Sequence, residues 1–122
     1  MKLDLDTGKP IFQQIAEGIE DAILSGAFPE EEQIPSITEL SANYKINPAT
    51  ALKGVNKLVD EKIVYKKRGV GMFVSKGAAQ QLQEIRKNQF YENFISGLVE
   101  EAKRLNLSSE DVINLIERGF EK

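Results

Sequence analysis

Residues 34–74 read IPSITELSANYKINPATALKGVNKLVDEKIVYKKRGVGMFV, and the fold turns on this stretch. Ser36 with Glu39 three residues later forms a capping box: the serine side chain accepts from the Glu39 N–H and the glutamate reaches back. A helix therefore starts there. Asn43, Tyr44 and Lys45 supply a turn, and Asn47-Pro48 opens a second helix, since Asn caps well and a proline at the first helical position gives up only an unpaired N–H. That helix is expected over residues 48–60, with Ala51, Val55, Leu58 and Val59 as its inward stripe. Ile63-Val64-Tyr65 and Met72-Phe73-Val74 are strand-forming runs. Between them, Lys66-Lys67-Arg68-Gly69-Val70-Gly71 makes a turn whose glycines accept positive φ. Two helices, a tight turn and a hairpin describe a winged helix-turn-helix, mainly α with a small β wing.

The outer face of the second helix carries Ala49, Thr50, Lys53, Asn56 and Lys57. Small residues at a helix start let the backbone approach a groove, Thr and Asn hydrogen-bond base edges or phosphates, and lysines meet phosphates. A hairpin tip of three cations grips phosphate backbone or enters a minor groove. A solvated helix face and a merely solubilising turn use the same residue types. The two features adjoining each other favour DNA.

Charge is distributed accordingly. The 122-residue chain carries a net charge of -3, yet residues 43–76 hold eight Lys or Arg against two acids, a local +6. A basic face with an acidic remainder suits DNA while discouraging indiscriminate binding. With 41% hydrophobic and 29% charged residues, the composition is that of an ordinary globular chain. No long apolar run and no basic-then-apolar leader is present, so neither a membrane span nor a secretory signal is expected. The absence of cysteine fits a cytoplasmic location.

Upstream, residues 1–9 alternate Leu3 and Leu5 with Lys2, Asp4 and Asp6, as a short strand or an extended arm would. Pro10 is placed to begin a helix whose stripe is Phe12, Ile15, Ile19, Ala22 and Ile23, ended by Gly26. Residues 28–33, with Pro29 and three glutamates, read as a solvated loop.

Pro10-Ile11-Phe12-Gln13-Gln14-Ile15, Ile23-Leu24-Ser25-Gly26, Ile34-Pro35-Ser36, Asn47-Pro48-Ala49-Thr50 and Gly69-Val70-Gly71-Met72-Phe73-Val74 follow one another in unbroken order over about residues 9–75. Together they resemble the N-terminal winged-helix domain of GntR-type bacterial transcription regulators, and the Asn-Pro-x-Thr pattern with a short tail is similar to the YtrA-like branch. The resemblance implies DNA contacts at Ser36, Thr38, Asn47, Ala49, Thr50, Lys53, Lys67, Arg68 and Gly69, with Ala49, Thr50 and Lys53 reading bases and the others on phosphates. Thr38 and Pro48 stand where family members often carry arginine, and Lys67 and Met72 where Arg and Thr are commoner.

The organisation expected is a head over residues 1–76, its core closed by Val74, and a helical tail over residues 77–122. Leu82, Ile85, Tyr91, Phe94, Ile95, Leu98, Ala102 and Leu105 form the stripe of one long helix. Ser108 with Asp111 caps the next, flanked by Leu107 and Val112 as a hydrophobic staple, and Val112, Ile113, Ile116 and Phe120 supply its stripe. Two such helices cannot build a core alone. They either fold back on the head or pair with a second chain, and pairing is favoured because GntR-type heads bind DNA in twos. The expected interface is Tyr91, Phe94, Ile95, Leu98, Ala102, Leu105, Val112 and Ile116.

No histidine and no cysteine removes the commonest general base, metal ligands and thiol nucleophile, so neither an enzyme nor a cofactor or metal site is expected. The Gly-x-Gly of the hairpin lacks the setting of a dinucleotide site. A tail of this length houses neither the effector-binding nor the aminotransferase-like domain of larger family members; an interhelical or dimer-interface pocket for a small ligand stays open, with no polar cluster to mark one, so the small-molecule effector is unknown. The expected function is a homodimeric regulator on a palindromic operator, a repressor by occlusion. The alternative is a winged-helix module that binds a protein partner.

Overall fold

In a computed structural model that describes residues 3, 4 and 6–122, the first apolar stripe forms α1 (Ile11–Ser25) and buries Ile15, Ala16, Ile19 and Ile23. Pro10 sits just before the helix, as its N-cap, and Gly26 ends it at φ 87°, its N–H returning to the Ile23 carbonyl. Ahead of α1, Leu3 packs against the core and the Gln14 side chain holds the arm: it accepts from the Asp4 N–H at 2.7 Å and donates to the Asp4 and Lys9 carbonyls at 2.6 and 3.0 Å. The described part of the arm forms no strand and bends at Asp6 and Thr7. Lys2 and Leu5 lie outside the described residues.

The next elements are α2 (Ile37–Tyr44), α3 (Pro48–Asp60), β1 (Val64–Lys67), β2 (Gly71–Val74), α4 (Ala78–Phe90), a π-helical turn (Tyr91–Ile95), α5 (Ser96–Arg104) and α6 (Ser109–Phe120). The chain divides into two compact units, Met1–Glu84 and Ile85–Lys122, and the division falls within α4.

In the first unit α1 packs against α3, and α3 against α2 and β1. The α3 stripe buries Ala51, Gly54, Val55 and Leu58, while Val59 is half-buried at its edge. Leu40, Ile34, Ile63, Val64 and Val74 complete the shared core with the α1 side chains. Each fully buried Ile or Leu contributes about 1.5–3 kcal/mol, so this cluster is what holds the helix pair and the wing together.

Three expectations are corrected. First, the core does not close at Val74: Ala78 and Leu82 on the first turns of α4 are fully buried in the same cluster, and the Gln81 amide donates to the Glu61 carbonyl at 3.3 Å. Second, residues 28–33 are not simply a solvated loop: Phe28 packs against the core, and although the side chains of residues 29–33 are exposed, their main chain is paired. The Glu31 N–H donates to the Val74 carbonyl at 2.8 Å, the Val74 N–H to Glu32 at 3.0 Å and the Ile34 N–H to Met72 at 2.9 Å, with Gln33 bridging Phe73. Main-chain groups beside a strand edge take the partners the edge offers. Third, the tail stripe is not one uniform α-helix, because a π turn over Tyr91–Ile95 separates α4 from α5.

In the second unit, Asn106 at φ 58° ends the helical run, and the Leu107 N–H donates to the Ala102 carbonyl at 2.8 Å. Ser108 and Asp111 then form the expected capping box of α6. Ala102 is the one buried residue among the described residues of this unit, whereas Phe90, Tyr91, Phe94, Leu105, Ile113 and Phe120 are exposed. An apolar groove of about 310 Å³ runs between Leu98, Ala102 and Leu105 on one side and Val112, Leu115 and Ile116 on the other.

Candidate nucleic-acid interface

The helix-turn-helix is built from local rules. Ser36 Oγ accepts from the Glu39 N–H at 3.0 Å and the Ser36 N–H donates to the Glu39 carboxylate at 3.1 Å, so α2 starts where the capping box puts it. Its end is set by Lys45 in the left-handed region, φ 53°, and Ser41 ties the turn together by donating its hydroxyl to the Ile46 carbonyl at 2.7 Å. Asn47 Oδ1 accepts from the Ala49 N–H at 2.8 Å, and Pro48 occupies the first turn of α3. The helix start therefore presents Ala49 and Thr50 on a rigid, capped backbone.

On the outer face, Ala49, Lys53, Asn56 and Lys57 are exposed and Thr50 is half-buried. The Lys53 ammonium lies 4.1 Å above the Phe12 ring, which gives this cation a resting place beside α1. Lys57 is committed differently: it pairs with Glu61 at 2.6 Å, and that hydrogen bond holds its ammonium above the ordinary lysine value against the opposing pull of partial burial. Thr38 is exposed on the first turn of α2, next to the Ser36 cap.

The wing pairs Val64 with Val74, Tyr65 with Phe73, Lys66 with Met72 and Lys67 with Gly71. The ladder thus extends further than the expected strands, taking in Lys66, Lys67 and Gly71. The turn itself is Arg68-Gly69-Val70, closed by the Val70 N–H donating to the Lys67 carbonyl at 2.9 Å, with Gly69 at φ 77°. Lys66, Lys67 and Arg68 are all exposed, and the Lys67 ammonium lies 4.4 Å above the Phe73 ring, itself stacked on Tyr65 with centroids 5.8 Å apart.

All nine expected contact residues lie in one compact unit, on the starts of α2 and α3 and on the wing. Two residues outside that expected set belong beside them. Gln33 reaches the wing tip, donating to the Val70 carbonyl at 3.1 Å. Leu52 stands on α3 between Ala49 and Asn56 and is 42% exposed. The Gln33 bond spans too much sequence to be seen in any local pattern; Leu52 could have been found by noting that it falls outside the inward stripe.

No group of three or more His, Cys, Asp or Glu among the described residues could hold a metal ion, and no helix among them is long and apolar enough to cross a membrane.

Residues 11–74 match the model of the gntR family of bacterial regulatory proteins. The transcriptional repressor YtrA of Bacillus subtilis is 30% identical over 69% of this chain and 65% of its own length. A GntR family transcriptional regulator from Listeria monocytogenes superposes with a TM-score of 0.78 at 29% identity, covering 93% of this chain and 98% of that one. AraR(DBD), solved in complex with operator ORR3, superposes at 0.53 with 25% identity over 62% of this chain and 93% of its own.

Proposed function

The chain belongs to the gntR family of bacterial regulatory proteins, transcriptional regulators with a winged-helix DNA-binding domain and not enzymes, and from this premise we propose that it is a cytoplasmic repressor acting as a homodimer on a two-fold symmetric operator. The observation that carries the DNA half is the capped start of α3, where Ala49, the half-buried Thr50 and Lys53 lead a largely exposed outer face, joined to a wing tip of Lys66, Lys67 and Arg68. Small and hydrogen-bonding residues at the start of a recognition helix suit a major groove, and exposed cations suit phosphates. The operator-bound neighbour AraR(DBD) supports the same use of the fold. Ser36, Thr38, Asn47, Lys67, Arg68 and Gly69 take the phosphates in this reading, and Ala49, Thr50 and Lys53 the bases.

The dimer half rests on the second unit. Residues 77–122 serve as a dimerisation tail anchored to the head by the first turns of α4. Tyr91, Phe94, Leu98, Leu105 and Ile116 are exposed there, with Ile95 and Val112 half-buried and Ala102 at the floor of the groove. Apolar exposure this concentrated marks an interaction surface, and a second copy of the tail offers the same groups in return. Two heads would then meet half-sites roughly 34 Å or a multiple apart. The repressor assignment takes its support from the similarity to YtrA, a transcriptional repressor.

The test is selection of bound duplexes from a random pool by the purified protein, followed by binding to the winner at two salt concentrations. Enrichment of a two-fold symmetric site with salt-sensitive affinity is the expected result. A well-folded protein that enriches no duplex would overturn the reading in favour of a winged-helix module for a protein partner.

A further inference from the structure

Within the first unit, the large apolar side chains of the described residues are buried or half-buried with two exceptions, Leu52 at 42% and Val70 at 60% exposure. Both exceptions lie on the elements that the proposed function gives to DNA, one on α3 and one on the wing tip. Leu52 is the more informative. It is the fifth residue of α3, in the half of a recognition helix that reaches base edges, three residues after Ala49 and four before Asn56. Those spacings put it on the flank of the outer face, between Asn56 and the edge of the buried stripe at Val55, and away from the buried Gly54. Its neighbours there are the short Ala49, which keeps the helix backbone low against a groove, and the polar Asn56.

A leucine has no donor or acceptor with which to read a base. In a major groove the matching chemistry is the 5-methyl group of thymine, the one apolar group that any base pair presents there. We infer that Leu52 is a specificity-determining residue that packs against a thymine methyl, so that each half-site carries a thymine at the position facing it. This rests on the DNA-binding reading of α3. Two methyl-bearing surfaces meeting in this way remove apolar area from water at no hydrogen-bond cost, and they penalise cytosine, whose edge lacks the methyl and presents an amino donor with no acceptor opposite it.

The test uses the full chain and the duplex it selects. Each thymine is replaced singly by deoxyuridine, which keeps every hydrogen-bonding group and removes only the methyl, and binding is followed by fluorescence anisotropy. The expected result is one uracil-sensitive position per half-site, with affinity reduced roughly fourfold for the single methyl. In Leu52→Ala the parent duplex binds more weakly and the uracil penalty at that position disappears. Leu52→Asn, offered the same pool, shifts the selected base at that position from thymine to adenine.

A selected duplex with no uracil-sensitive thymine would overturn the inference while leaving the DNA-binding reading intact. A penalty that survives in Leu52→Ala would assign the methyl to another side chain and overturn it equally. Failure to select any duplex would remove both readings together, so the two failures are distinguishable.

Discussion

The side-chain amide of Gln33 donates to the main-chain carbonyl of Val70 at 3.1 Å, joining two residues 37 apart in sequence. Gly71 makes the approach possible, because a Cβ at that position would strike the Gln33 side-chain nitrogen. The wing tip is therefore held by the segment that leads into α2, not only by its own ladder. A hydrogen bond of this kind contributes about 0.5–1.5 kcal/mol net. Gln33→Ala should accordingly weaken binding to the selected operator roughly two- to tenfold without unfolding the head. In a background already lacking Lys67 and Arg68 the same substitution should cost nothing more. A double-mutant cycle in which the two effects simply add would show that Gln33 does not act through the wing.

Gly54 is a point of very close approach between α1 and α3. A Cβ there would lie 2.7 Å from the Phe12 carbonyl oxygen and 3.1 Å from the Ile15 side chain, so the two helices would have to separate. Gly54→Ala gains up to about 1 kcal/mol in helix propensity but overpacks a rigid backbone approach, an effect of about 1–3 kcal/mol in the other direction. The net expectation is a lower urea midpoint. A midpoint equal to or above that of the native chain would mean that α1 moves aside freely.

Gln33 and Gly54 also mark where the sequence is legible and where it is not. The capping boxes of Ser36 with Glu39 and Ser108 with Asp111, and the Asn47-Pro48 start of α3, are present as read, because each is settled within four residues. What escapes a local reading is set by distant partners. Gly54 has no local signature of its role, which depends on Phe12 opposite it, and residues 31–33 read as loop because the edge they pair with, β2, lies some 40 residues on. Ala78 and Leu82 read as the start of a tail stripe, since helical spacing tells which residues share a face but not what covers them. Nothing in the local pattern of Tyr91–Ile95 announces a π turn.

The wing cations predict a salt signature. Lys67 and Arg68 are exposed at the turn, and replacing both with alanine should lower affinity for all duplexes alike. The slope of log affinity against log salt should become shallower by about 0.9 for each phosphate that the variant no longer neutralises. Thr50→Val and Lys53→Ala should instead narrow the gap between selected and scrambled sites at nearly constant slope. A wing variant with native affinity and native slope would remove the hairpin tip from the interface.

The α6 capping box predicts a pH dependence. The Ser108 main-chain N–H, 2.9 Å from the Asp111 carboxylate, and then the Ser108 side chain hold the Asp111 carboxyl below the ordinary aspartate value. A depressed folded value means that the stabilisation is present above the unfolded titration at about pH 3.9 and disappears as pH falls through the folded value. An NMR titration of Asp111 should therefore show a midpoint below the free-aspartate value. Ser108→Ala should raise that midpoint only part of the way, since the main-chain donor stays in place. An unshifted midpoint in the native chain would contradict the capping geometry.

The anchoring of α4 makes the site of truncation matter. Ending the chain after Glu84 keeps Ala78 and Leu82, which are 0% and 1% exposed, and keeps the Gln81 hydrogen bond to the end of α3. Ending it after Lys76 removes all three and leaves the floor of the core open to water. The shorter head should be the less stable by about 2–3 kcal/mol in urea unfolding, most of it from the missing Leu82 side chain. Both truncations lack the exposed apolar side chains of α5 and α6, so both should be monomers by light scattering while the full chain is a dimer. Both should also gain little from a second half-site, whereas the intact protein should bind the two-fold site far more tightly than a single half. Equal stability of the two heads would contradict the packing of α4, and a dimeric head ending at Glu84 would move the subunit interface out of the tail and into the winged helix.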